Sequence, residues 1–397
     1  MLHAGVGLST HKDTQQASVE AAEIALARSG SDTADLALVF ATIGHGANYN
    51  LLLRTVKDTA RATHVVGCSA GGVLTSEGEL ERASGVAVLT LQADTFSAAR
   101  FFVPQLRNRG REAGREVADC IQSHLGVDNL LIVLPDTYNF NATAFFAGLS
   151  ESVPDVPVVG GGASEDGTLG ETFQLCGDAV SNDAVCGVLL SGHFHHTVGI
   201  TQSCQPIGPV HTITKAYQNL ILELDDRPAF AVFAEALPQP LREDLRRAAA
   251  FVFAGLPVDV ERQRIVPGEY VIRNIVGFDP ERGIVAIGEE VHPGQKMVFT
   301  LRDGNRSRDD LKVTLEAQAQ AWGPQRPGFG LYFNCASRGR GLYGFPDLDI
   351  SYIKQYLGDI PIIGFFTGCE IGPAQRQTNL HLYSGVLVLV GEKATVH

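Results

Sequence analysis

Short runs of consecutive apolar residues alternate along this chain with stretches in which apolar residues recur every three or four positions. The runs Leu36–Phe40, Leu130–Leu134, Val156–Val159, Gly187–Leu190, Ile360–Ile363 and Gly385–Val390 are bounded by turn residues. That pattern predicts strands buried on both faces. Between them the helical period predicts seven helices. One spans 13–29, with an Ala-rich stripe closed by Gly30. A second carries Tyr49, Leu52, Leu53, Val56 and Ala60 behind an Asn48 cap, and a third carries Val117, Ile121 and Leu125 before Gly126. The fourth sets Phe145, Phe146 and Leu149 after Asn141, and the fifth sets Leu241, Leu245, Ala248 and Val252 after Pro240. The sixth has Leu311, Leu315 and Trp322 behind Ser307, and the last has Ile350, Ile353 and Leu357 between Asp347 and Gly358. Residues 265–301 differ. Tyr270–Ile275, Ile284–Ile287 and Lys296–Leu301 are separated by turn sequences and predict an antiparallel meander.

One plan recurs three times, from Leu36 to Leu91, Leu130 to Leu190 and Phe329 to Val390. Each copy reads strand, loop, helix, strand ending in glycine, Gly-rich loop, strand. The copies align on Gly67, Gly160 and Gly364. A strand–helix–strand order favours a right-handed parallel crossover. The fold expected is α/β with mixed α+β character: two fused halves of repeated units, mixed sheets flanked by helices, and the antiparallel meander in the C-terminal half. The punctuation Gln205-Pro206-Ile207-Gly208-Pro209 suggests a division into 1–208 and 209–397.

The repeat bears on one motif. Gly67-Cys68-Ser69-Ala70-Gly71 is a literal G-x-S-x-G, the elbow that carries a hydrolase nucleophile between a strand and a helix. Aligned on the shared glycines, Ser69 falls opposite Gly162 and Phe366, so the serine belongs to one copy and the glycine to all three. The residues that follow, Gly71, Gly72, Ser76, Glu77 and Gly78, make a poor helix start. A Gly-rich turn is the better reading, and positive φ or close packing explains the glycine. Loops leaving neighbouring strands converge, and ligands of α/β sheets bind beyond the carboxyl ends of strands. The candidate ligand-binding residues are therefore Cys68, Ser69, Ser164, Asp166, Cys335, Arg338, Cys369 and Glu370. Arg338 would either clamp a carboxylate of a small ligand or pair with Glu370 and tie two loops together. A hydrolase or thiol enzyme acting through Ser69 or Cys369 is the competing class.

Composition narrows the setting. The chain has 397 residues and a formal net charge of −13, a field that repels nucleic acid and anionic membranes. No run approaches the length of a membrane span, and the N-terminus lacks a signal-peptide pattern. The seven cysteines include no C-x-x-C pair, so a cytoplasmic protein with reduced thiols is expected. His193-Phe194-His195-His196 reads as a hairpin tip, Asp225-Asp226 as a tight turn, and Gly160-Gly161-Gly162 lacks the residues of a phosphate cradle.

Six segments together resemble the FIST family. They are Val66–Ser69, Gly160–Asp166, Gln205–Pro209, Leu224–Ala229, Cys335–Arg338 and Thr367–Pro373, in this order from about Leu36 to about Val390. The resemblance implies a sensory module of signal transduction that binds a small ligand. It also implies a similarity to stand-alone members that bind haem and sense nitric oxide. Haem needs an axial His or Cys and an apolar slot, and His45, His64 and His381 lie within the repeats. With no room for an output domain, the chain is expected to signal by touching a separate partner, such as a histidine kinase.

Overall fold

The computed structural model describes residues 1–239, 241–258, 270–375 and 377–393. The repeat is real, and it begins earlier than the sequence pattern suggested. Unit one runs through strand Leu2–Ser9, helix Thr14–Ser29, strand Ala34–Thr42, helix Tyr49–Thr59, strand Ala62–Ala70, the hairpin Gly72–Thr75 with Gly78–Glu81, and strand Val86–Ala93. Unit two repeats this order from Phe96–Pro104 to Ala184–Gly192, with its hairpin at Gln174–Cys176 and Ala179–Ser181. Unit three runs from His195–Gln202 to Ser384–Gly391, with its hairpin at Glu370–Ala374 and Gln377–His381.

Each unit builds four strands of a six-stranded sheet, in which the two strands around the second helix are parallel. The remaining two strands come from another unit. The hairpin of unit one pairs with strand Ile362–Thr367 of unit three. The hairpin of unit two pairs with Ala62–Ala70 of unit one, and that of unit three with Val158–Gly161 of unit two. The exchange closes a ring of three sheets. One apolar cluster drawn from all three units fills the centre, and a separate cluster lies under the helices of each unit.

The shared glycines explain how the ring packs. Gly67, Gly160 and Gly364 sit inside strands, not at their ends, and the strand runs on past each. They are level with Val39, Val133 and Tyr332 on the neighbouring parallel strand. A Cβ at any of the three would overlap the backbone carbonyl of that neighbour. Close approach is thus the common cause, with positive φ at Gly160 alone.

The helices largely follow the pattern. Asp13 and Asn141 cap theirs by accepting from Gln16 N–H and Ala144 N–H, and Gly30 closes the first in the left-handed region. Three differ. Helix Gly304–Trp322 is capped by Asp303, while Ser307 lies buried in its first turns and donates back to Asp303 O at 2.7 Å. The fifth is broken into the short turn Leu241–Glu243 and helix Leu245–Phe251, because Asp244 caps a new start and the β-branched Val252 begins a strand. Its proposed first residue, Pro240, lies outside the described residues. Asn48 makes no side-chain cap; a 3₁₀ turn, Ile43–Asn48, leads into the second helix instead.

Residues 204–302 interrupt unit three between its first strand and first helix. Their described strands form an antiparallel sheet of their own with a separate core. The expected meander is realised only in part. Tyr270–Asp279 pairs with Ile284–Ile287, but Lys296–Arg302 crosses over to pair with Val252–Pro257, His211–Tyr217 and Cys204–Pro206. Residues 265–269 of that stretch lie outside the described residues. The His193 cluster is likewise not a hairpin tip, since the strands on either side belong to different sheets. Asp225 and Asp226 do form a tight turn, both at positive φ.

Gly67→Ala, Gly160→Ala and Gly364→Ala should each lower stability by about 3 kcal/mol or more, because rigid backbone must move. Gly208→Ala, with open space around it, should change stability by less than about 0.5 kcal/mol. Urea midpoints for the four variants check this, and equal midpoints would refute the packing account.

Candidate ligand-binding site

The loops beyond the three glycines do meet, and they bond directly to one another. Ser69 is fully buried within its strand. Its hydroxyl donates to Ser164 O at 3.0 Å and accepts from Phe173 N–H at 2.9 Å. The Ser164 hydroxyl donates to Phe366 O and accepts from Gly71 N–H at 2.8 Å. Gly162 N–H donates to Cys369 O at 2.8 Å, and Gly368 N–H returns to Gly162 O at 3.0 Å. These bonds stitch unit two to units one and three. Ser69 has no strand-to-helix turn and no basic partner, so the elbow geometry is absent. Asp166 stands apart, exposed, and accepts from Thr168 N–H at 3.1 Å. Cys68 faces the central core, where burial pushes its thiol up.

The other expected residues gather in unit three. Arg338 is fully buried, and its ion-pair partner is Asp349, not Glu370. Nε donates to Asp349 Oδ2 at 3.2 Å, Nη2 to the Tyr343 hydroxyl at 2.7 Å, and Nη1 to Ser203 Oγ at 2.9 Å. Asp349 also accepts from the Tyr332 hydroxyl at 2.9 Å and Asn334 Nδ2 at 3.0 Å. Burial opposes the guanidinium charge, and Asp349 restores it.

Glu370 lies on the opposite side of the same strand ends. It accepts from Thr367 Oγ1 at 2.6 Å and Ser384 N–H at 3.0 Å. Burial still pushes its carboxyl up to about 8. Cys335 beside it, 3.1 Å from Ser337 Oγ, is pushed up to about 12 by burial and by Glu370. Cys369 is also pushed up to about 12, burial again leading. Burial thus disfavours the thiolate form of both cysteines.

The repeat supplies an internal control. Opposite Cys68, Gly161 and Phe365 the exchanged hairpins place Gln174, Glu370 and Val73. Two residues beyond Val39, Val133 and Tyr332 stand Ala41, Pro135 and Asn334. The glycines and the apolar residues opposite them, Leu175, Ile371 and Leu74, are shared. Glu370, Asn334 and the Arg338–Asp349 pair are special to unit three, the unit that carries the 204–302 insertion. Asp349 escaped the sequence reading, although an aspartate inside the stripe Leu348, Ile350, Ile353 was a signal. Ser203 and Arg302 gave none; only tertiary contact brings them here.

A haem does not fit the three candidate histidines as placed. His45 and His381 are sealed in packed interior, and His64 is half-buried near Arg100. Each keeps one ring nitrogen without a partner, as an axial ligand would, yet a macrocycle would have to open the surrounding packing. The two grooves described on the surface, of about 600 and about 360 Å³, run along the first helix and touch none of these histidines.

Family models match two consecutive stretches: a FIST N domain over residues 35–227 and a FIST C domain over 229–373. The chain belongs to the FIST family. FIST domains are associated with small-ligand sensing in signal transduction. An uncharacterized protein of Mycobacterium tuberculosis strain H37Rv is 31% identical over 392 residues, covering 98% of this chain and 99% of that one. One from Mycobacterium bovis is 31% identical over 399 residues, covering 98% of each chain. An uncharacterized Methanocaldococcus jannaschii protein is 24% identical over 187 residues, 44% of this chain and 35% of that one. Among solved structures, a cyanuric acid hydrolase from A. caulinodans aligns over 99% of this chain and 100% of that one, with 9% identity and a TM-score of 0.38. That similarity is too low to support any argument. No helix among the described residues is long and apolar enough to cross a membrane.

Two measurements test this FIST site. Unfolded, a Glu370 carboxyl titrates near 4.5, and folded it holds its proton to about 8. The native state therefore binds more protons between those values, and stability from this group is complete below about 4.5 and lost as pH rises to about 8. Glu370→Gln should flatten the fall of urea stability across that window by an amount on the order of a few kcal/mol. Parallel pH profiles in the two proteins would contradict the assignment. Of the seven cysteines only Cys120 is exposed, so a thiol reagent should titrate one thiol in the native protein and the remainder after unfolding.

Proposed function

We propose that this FIST protein is a sensory protein of the signal-transduction type whose small ligand is seated in unit three, at the seam between strand ends Cys335 and Thr367 and the inserted 204–302 sheet. The asymmetry of the repeat carries this reading. Where unit three buries Glu370, unit two buries the neutral Gln174 and unit one the apolar Val73, and among the described residues only unit three adds a fully buried ion pair, Arg338–Asp349. Buried polar groups cost stability unless they are well paired, and clusters of them mark functional sites.

The same cluster connects to the insertion. Ser203, which accepts from Arg338, is the last residue before the insertion begins. Its carbonyl accepts from Asp303 N–H at 3.2 Å, so both ends of the insertion meet at one point. Across the seam, Gln202 Nε2 donates to Tyr270 O at 2.8 Å and Arg273 Nη1 to Leu380 O at 3.4 Å. A ligand that prefers one setting of the Cys335–Arg338 turn would shift the insertion through Ser203. A separate cytoplasmic partner, such as a histidine kinase, then reads the position of the insertion. The ligand interacts with unit three, and the Gly-rich loops of units one and two hold the scaffold.

Thermal-shift screening of the full chain against small carboxylates, amines, sugars and nucleosides should find a stabilising class, because a ligand that binds only the native state must raise Tm. With that ligand, hydrogen exchange at Tyr270 and Ile272 should slow in the wild type and much less in Ser203→Ala. Slowing confined to the helices of units one and two would place the site elsewhere.

A further inference from the structure

We infer that the seam of unit three takes a small carboxylate, or an oxyanion of like shape, with Arg302 as its charge partner. This rests on the sensory reading above and names the ligand class.

Arg302 ends strand Lys296–Arg302 and leans across the seam, where Nη2 donates to Ser337 O. Its Nε is buried without a hydrogen-bond partner. Among the described residues Arg302 makes no ion pair, although the buried Arg338 nearby has a full one. An arginine fork desolvated at one edge with no acceptor is costly, and carboxylates match that fork in geometry and charge. Around it stand the Tyr383 ring, the Cys204 and Cys335 thiols and the Ser337 hydroxyl. Arg302, Ser337 and Tyr383 are partly exposed, while Cys335 and Glu370 behind them are buried. The partly exposed groups thus lie at the surface of the seam, over the buried ones.

The negative groups nearby are committed. Asp349 is held by Arg338, Tyr332 and Asn334, and Asp303 caps its own helix at Asn305 and Arg306. Asp310 accepts from Thr201 Oγ1, Gln202 N–H and Gln205 Nε2, so among the described residues these carboxylates leave none free to balance an ammonium. Glu370 is faced by the Cys335 and Cys369 thiols, the Tyr383 phenol and, at longer range, the Arg338 guanidinium already paired with Asp349. Ionised, it adds like charge behind the anion; protonated, it does not. Anion binding and the Glu370 proton are therefore linked.

The test is calorimetric titration of the full chain with acetate and lactate, against acetamide, lactamide and glycine, at pH 6.5, 7.5 and 9. The carboxylates should bind and the amides should not. Arg302→Gln should weaken carboxylate binding at least tenfold, and Arg302→Lys, which keeps the charge and loses the fork, should lie between. Circular dichroism confirms that each variant is folded. Affinity should fall as pH rises through about 8. Glu370→Gln should bind with that dependence removed. Equal binding of acids and amides, tighter binding of glycine than of acetate, or undiminished binding in both Arg302 variants overturns the anion assignment. If amines, sugars or nucleosides stabilise the protein in the thermal screen while acids do not, the inference fails and the sensory reading stands. If no class stabilises it, both fall.

Discussion

The structure depends on one backbone constraint, met three times: a strand that must approach its parallel neighbour more closely than a Cβ allows. Gly67, Gly160 and Gly364 satisfy it against Val39, Val133 and Tyr332. On the far edge of each of those strands a hairpin from another unit completes the sheet. No unit can close its own sheet. Each supplies an edge to another and receives one in return, so exposed strand edges vanish between the units. The central apolar cluster follows from this ring, since it is assembled from all three copies at once.

Hydrogen bonds across the ring extend the same logic to side chains. Glu79, on the unit-one hairpin, accepts from Asp347 N–H at 3.2 Å and Ile350 N–H at 3.3 Å, and so caps a helix of unit three. Burial first, then the charge of Asp349, pushes Glu79 up to about 8. One exchanged hairpin therefore fixes the helix that presents Asp349 to Arg338. The ion pair is buried and fully hydrogen-bonded, the condition under which such a pair holds a single geometry and under which losing one partner costs about 3–5 kcal/mol. Scaffold and site are mechanically continuous at this point.

The FIST fold thus separates two kinds of residue. Positions alike in all copies serve the ring. Positions that differ, above all Asn334, Arg338, Asp349 and Glu370, cluster where the chain departs to form the 204–302 sheet and returns. Symmetry makes the departure visible, because two copies show what the third would be without it.

Much of this was legible in the chain. Buried strands announced themselves as apolar runs, since a strand covered on both faces has no polar alternation to hide it. Helix stripes and the Asp13 and Asn141 caps are local, and local hydrogen bonding decided them. The recurrence of glycine in an apolar strand identified three copies and weighed against a nucleophile role for a serine that only one copy has. Partners distant in sequence were beyond such reading. Which hairpin completes which sheet depends on edges that exist only after the units assemble. Arg338 and Glu370 both looked like members of one ion pair, yet residues 334 and 335 point to opposite faces of their strand and so divide the cluster between Asp349 and Glu370. The sequence determined the elements, the repeat and the family; the tertiary structure alone decided who meets whom, because pairing across a strand edge and burial of a charge are properties of surfaces that no single segment possesses.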